Sequence, residues 1–236
     1  MSSSLLPITY RSILGVALPM MVSGFIQSIV LITDSAFISR YSVAGFDAVG
    51  NAGLAYITFY MMLLGMSDGA QILMARRIGE SREDQLGRIL NATWVILGIL
   101  AVIFFTILTL FIPSWISAYS RNQEVASLQG EFIRHRSFAL FFCMITLGFQ
   151  AFYLARGKSW VVLVAALITA STNILFDYLL IFGIGIFPEM GVAGAATASS
   201  IADGLGMMFL VIFTLSSKEN YAYHLFGTIK GIGFEL

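Results

Sequence analysis

Long apolar runs broken by short polar joints dominate this chain, and the runs show no two-residue alternation. Six of them, at 13–38, 49–75, 89–112, 132–155, 160–182 and 191–215, reach the length required of a membrane span. A helix needs about 20 mostly apolar residues to cross a ~30 Å hydrocarbon layer. These runs are far longer than a barrel strand, so the pattern predicts an all-α membrane protein with six transmembrane helices. The first run is too long for the apolar core of a signal peptide and reads as a retained span. Pro19 lies inside it, and Pro113 is expected to stop the third. Residues 1–215 form the six-helix unit. Residues 216–236 mix Tyr221, Tyr223, Phe226, Ile229, Ile232 and Phe234 with polar and glycine residues. That tail reads either as a segment lying flat at the inner interface or as a cytoplasmic linker to more protein.

Composition strengthens this class assignment. The 236 residues are 58% hydrophobic and 11% charged, against about 25% charged in a soluble domain. The net charge is zero, so nothing suggests a nucleic-acid partner. Cys143 is the single cysteine; it excludes an internal disulfide and reads as a small packing residue. Basic residues set the orientation. With the N-terminus in the cytoplasm, Arg11, Arg76, Arg77, Arg82, Arg88, Arg156, Lys158, Lys218 and Lys230 lie inside, and only Arg40, Arg121, Arg134 and Arg136 lie outside.

The informative polar residues are those inside the spans. An acidic side chain in hydrocarbon costs several kcal/mol, about 2.5–3.5 on insertion scales, and usually faces a polar cavity. Asp34 in the first span and Asp177 in the fifth each fall about one turn from the outer end, given the helical rise of about 1.5 Å per residue. Asn173 precedes Asp177 by four residues and shares its helix face. Gln27 and Asp34, seven apart, also share a face. Thr197 and Ser199 in the sixth span reach the same outer half. Two carboxylates, an amide and a hydroxyl offer hard oxygen ligands for Na⁺, and two carboxylates close together in low dielectric also favour sharing a proton. Residues one turn from a helix end can equally rest in the interface without a function, and small hydroxyl residues commonly pack membrane helices.

The stretch Asn173-Ile-Leu-Phe-Asp177-Tyr-Leu-Leu-Ile-Phe-Gly183, followed by Pro188-Glu-Met-Gly-Val-Ala-Gly-Ala-Ala196, closely resembles the fifth and sixth spans of the multidrug and toxic compound extrusion (MATE) family. Ala17-Leu18-Pro19 followed by Thr33-Asp34-Ser35-Ala36, and Ala75-Arg76-Arg77-Ile78-Gly79, are similar to its first span and to the loop after its second. The resemblance implies one lobe of a twelve-helix, two-lobe antiporter in a bacterial inner membrane, with a second lobe joined covalently after this chain. It implies export of small organic, often cationic, compounds, driven by Na⁺ or H⁺ and without a cofactor. The family's ion site would fall on Asp34, Asn173 and Asp177. Its sixth-span threonine aligns with Ser199, with Thr197 two residues earlier, so the fourth ligand stays open. Gln27 matches a cavity-facing glutamine of some members. Pro19 removes a backbone hydrogen bond and can kink its helix, which suits either a static kink or a bend that responds to the ion.

Other readings compete. A related fold flips lipid-linked saccharides or polysaccharide, but it needs a strongly cationic cavity, and the predicted spans hold almost no internal Arg or Lys. A six-helix membrane protein without ion coupling is another. Gly65-Met66-Ser67-Asp68-Gly69 matches a serine-nucleophile pattern, yet it sits in a membrane helix without a histidine partner, because His135 belongs at the outer side and His224 in the tail. Gly65 and Gly69 read better as a close-packing face. Asp68 is expected to pair with the basic loop that follows it. Asp203 either pairs outside this chain or lines an inner cavity. Arg134, His135 and Arg136 read as an outer interfacial cluster.

Overall fold

The computed structural model describes residues 9–120, 122–217, 220, 223 and 225. Arg121, Lys218, Tyr221, His224, Phe226, Ile229, Lys230, Ile232 and Phe234 therefore lie outside the described residues. The described chain is helical throughout: α1 (Tyr10–Tyr41), α2 (Val43–Gly79), α3 (Leu86–Thr106), α4 (Ile112–Tyr119), α5 (Gln123–Ser137), α6 (Ala139–Ala155), α7 (Ser159–Phe182) and α8 (Gly191–Ser216). Helices satisfy every backbone group internally, which a hydrocarbon layer demands. Among the described residues five helical segments can cross a membrane alone, and α5 with α6, bent by 44° at their joint, makes a sixth span.

Two of the six spans depart from the expected shape. Pro113 does not stop the third. A π-helical turn at Ile107–Phe111 follows α3, and Pro113 then sits in the first turn of α4. There its missing N–H matters little, because the widened turn has already let go of the ladder. The fourth span starts nine residues earlier than the apolar run, at Gln123, and breaks at Phe138.

Short polar joints end the other helices. Ser42 closes α1 and opens α2, its hydroxyl accepting from the Gly45 N–H at 3.0 Å. Gly183 ends α7 in the left-handed region at φ 65°. A side chain there would be strained and would also meet the Glu189 backbone at 2.8 Å. The α2–α3 joint balances its own charge: Glu80 accepts from Arg76 and Arg77 at 2.9 and 2.8 Å. Those guanidiniums, Arg77 foremost, hold the Glu80 carboxyl below its ordinary pKa.

Helix α7 packs between α1 and α8, while α2 is flanked by α3, α5 and α6. One core, around Tyr56, Leu97, Phe104, Phe132 and Leu140, fills the end toward the α4–α5 joint. A second, around Met74, Leu90, Phe149, Phe152, Tyr153 and Leu210, fills the opposite end. Leu225 and Tyr223 belong to this second core. Asn220 donates to the Tyr153 hydroxyl at 3.2 Å and accepts from Arg156 at 2.8 Å, and the Arg156 guanidinium lies 4.3 Å from the Tyr223 ring centre. Helix α1 stands at the edge, with Leu14, Leu18, Met21, Phe25 and Leu31 exposed.

Candidate functional site

The packing of α1 along α7 brings Asp34 and Asp177 together. Asp177 is fully buried, Asn173 is 2% exposed, and the Asp34 and Asp177 carboxyls lie within hydrogen-bonding reach of one another. Carboxylates only accept, so that approach becomes a bond only through a shared proton or a bridging cation. The Asn173 amide is oriented by Ser199 on α8, whose hydroxyl accepts from Nδ2 at 3.1 Å. Its Oδ1 is left over. Among the described residues, five buried side-chain oxygens have no hydrogen-bond partner, and four belong here: Asp34 Oδ1, Asn173 Oδ1 and both oxygens of Asp177. Buried polar atoms are nearly always satisfied. Four orphaned acceptors on two packed helices form a locus that a proton or a hard cation would complete.

The remaining residues singled out by sequence divide. Ser199 joins the group, whereas Thr197 meets His135 Nδ1 at 3.3 Å. Gln27 is exposed on α1. Pro19 sits inside an unbroken α1. Proline cannot supply the N–H that would bond the carbonyl four residues back, which is that of Gly15. The Ser159 hydroxyl, at the start of α7, donates to Gly15 O at 3.4 Å, and Ser23 donates to Pro19 O at 2.8 Å.

Several expectations need correction. Arg136 does not point to an outer interface. It turns inward, donates to Asp203 Oδ2 at 2.6 Å and lies 4.5 Å from the Tyr56 ring centre. Asp203 thus has its partner inside the chain, and the fourth span carries an internal cation after all. The break beside Arg136 makes room for this arrangement, with the Ser200 hydroxyl reaching the His135 carbonyl at 3.3 Å. Asp68 is exposed and makes no ion pair among the described residues; the loop arginines are engaged instead by Glu80 and Asp84. Gly65 and Gly69 have no neighbour within 4 Å of where a Cβ would stand, so neither is a close-packing site among the described residues. Ser67 is buried, and its hydroxyl donates to Leu147 O at 2.8 Å, which occupies the proton a nucleophile would have to give up. Arg136 was missed because basic residues beside an apolar run serve as markers of its end. The signal that could have found it was Asp203, a carboxylate deep in α8 that needs a cation.

The MatE family profile matches residues 19–179, more than half the chain and including both carboxylates. The chain belongs to the MatE family. Its MatE relatives include the probable multidrug resistance protein NorM of Thermotoga maritima, 28% identical over 206 residues, which cover 86% of this chain and 44% of that protein. The NorM of Rhizobium meliloti is 25% identical over 221 residues, covering 93% and 47%. A solved structure of a multidrug resistance MATE family transporter in an outward-facing conformation superposes with a TM-score of 0.82 at 20% identity, over 89% of this chain and 46% of that one. The inward-facing counterpart gives 0.75 at 19% identity, over 89% and 47%. The chain spans about half the length of the relatives it matches, and its six spans have the fold of one MatE lobe.

Proposed function

We propose that this chain is the N-terminal lobe of a secondary antiporter. It exports small organic, often cationic, compounds in exchange for Na⁺ or H⁺, and the coupling ion sits between Asp34, Asn173 and Asp177. The observation that carries this reading is the set of four buried acceptor oxygens that nothing among the described residues satisfies. An ionised carboxylate pair cannot stay bare in a hydrocarbon-embedded core, so a cation or proton must accompany it and can be exchanged. Ser199 rather than Thr197 is the hydroxyl that takes part, by holding the amide. The names of the relatives support drug efflux as the process served. No cofactor and no catalytic residue are invoked.

The rest of the machine follows this reading. The exposed apolar flank of α1 faces lipid or a second lobe that continues the same polypeptide. The protein resides in a bacterial inner membrane with its N-terminus in the cytoplasm, as the arginine-rich α2–α3 joint favours. Gln27 lines the cavity toward the second lobe, and α1 bends at Pro19 when the ion binds, with the lobes rocking to alternate access. The saccharide-flippase reading draws no support from Arg136, a single cation already paired with Asp203.

The test is efflux of a fluorescent organic cation from cells making the protein from its native gene, alongside Asp34→Asn and Asp177→Asn. Both variants should insert normally and lose export. Full export by either would sink the assignment of the site. The intact mass of that product tests the second lobe: about twice 25.8 kDa supports it.

A further inference from the structure

Arg136 brings a positive charge into the same interior. Three elements fix it there: α5 carries it, Asp203 on α8 supplies the anion at 2.6 Å, and Tyr56 on α2 supplies a ring face 4.5 Å away. Its side chain is 17% exposed and that of Asp203 21%. Asp203 Oδ2 also accepts from Cys143 Sγ at 3.8 Å, and Cys143 contacts the Tyr56 hydroxyl at 3.7 Å. Asp203 follows Ser199 by four residues on α8, and Ser199 holds the Asn173 amide at 3.1 Å, so the ion pair sits about one helical turn along α8 from the acidic group. Arginine stays protonated in any protein environment, so this charge cannot be switched off. A buried ion pair is a poor means of stabilising a fold, because desolvation offsets its attraction.

We propose that Arg136 is the charge-selectivity residue of this lobe: a resident cation, held away from the Asp34–Asp177 pair by Asp203, that limits how tightly an organic cation is held beside that pair and so permits its release. This rests on the proposed export of organic cations. Asp203 is the second half of the device. It holds the guanidinium at a set place, and without it Arg136 is free to turn toward the other two carboxylates and compete with the incoming cation. Removing Arg136 and removing Asp203 should therefore act in opposite directions, which damage to packing does not do.

The experiment measures equilibrium binding of two lipophilic ions of like size and opposite sign, tetraphenylphosphonium and tetraphenylborate, to the full-length purified protein. Arg136→Gln should bind the phosphonium roughly tenfold tighter and the borate more weakly, as expected for one charge acting over several ångströms at an effective dielectric of about 20. Asp203→Asn should do the reverse, and the double variant should fall between. Shifts of the same sign for both probes, or none, would overturn the proposal. The double variant leaves no unpaired buried charge, so with Asp203→Asn it decides the matter if Arg136→Gln does not fold. A wild-type protein that binds neither probe removes the cation-cargo reading and this inference with it. Wild-type phosphonium binding without opposed shifts removes this inference alone.

Discussion

Replacing Gly194 with alanine adds one methyl group where α8 lies directly against the α7 backbone. The new Cβ would stand 2.6 Å from Leu180 O, 2.8 Å from Leu180 C and 3.0 Å from Ile181 N. All three are backbone atoms inside α7, so no side chain can swing away. Comfortable separations are about 3.5–4.0 Å, and the helices must part by roughly 1 Å. Overpacking of this kind costs about 1–3 kcal/mol, which for a chain of this size lowers Tm by about 2–12 °C. The parting also acts on the site, since Gly194 is five residues before Ser199 and Leu180 three after Asp177. Widening the α7–α8 gap stretches the 3.1 Å contact that orients Asn173. Thermal unfolding of detergent-purified protein, read by tryptophan fluorescence, measures the first effect, and fluorescent-cation efflux the second. Gly65→Ala and Gly69→Ala are the controls: each faces open space, and each should be neutral or gain up to about 1 kcal/mol from helix propensity. If Gly194→Ala melts with the controls and exports normally, the close approach is not a constraint on this lobe.

Two further outcomes follow from buried hydroxyls. Ser67→Ala should lower stability by about 0.5–1.5 kcal/mol through loss of its bond to Leu147 O and leave cation efflux intact; loss of efflux at unchanged Tm would overturn its structural role. Tyr153→Phe removes the hydroxyl shared with Thr214 at 2.8 Å and Asn220 at 3.2 Å. It should cost about 1–3 kcal/mol and open the chain after α8 to protease, read by limited proteolysis of the purified protein.

The membrane class, the six spans and the acidic residues inside them are legible in the sequence for one reason. Hydrocarbon penalises polar atoms so strongly that run length reports the spans, and an acidic residue within a run reports a cavity. Asp177 and Asn173 share a face by helical spacing alone, and Asp34 was matched to them by depth. What escaped depends on rotation and on bends. Choosing Ser199 over Thr197 requires knowing how α8 is turned against α7, to within a residue. The break at Phe138 has no proline to announce it, so Arg136 read as the flank of a span rather than its interior. Pro113 misled in the opposite sense, because a π-helical turn can absorb a proline without ending the span. Gly65 and Gly69 carry a packing motif, but whether anything approaches them is a property of the neighbouring helices.

The bond from Ser159 to Gly15 bears on how α1 can move. A proline in a membrane helix leaves one carbonyl to find a partner elsewhere, and this one found it on α7 rather than in its own ladder. At 3.4 Å the contact is long and therefore easily surrendered. Two polar contacts thus lie far apart along the packed first and fifth spans, a weak neutral latch near one end and the acidic pair near the other. Any tilt of α1 about Pro19 has a lever with two unequal handles: the latch sets how readily the near end lets go, and the charge state of the pair sets which way the far end is drawn.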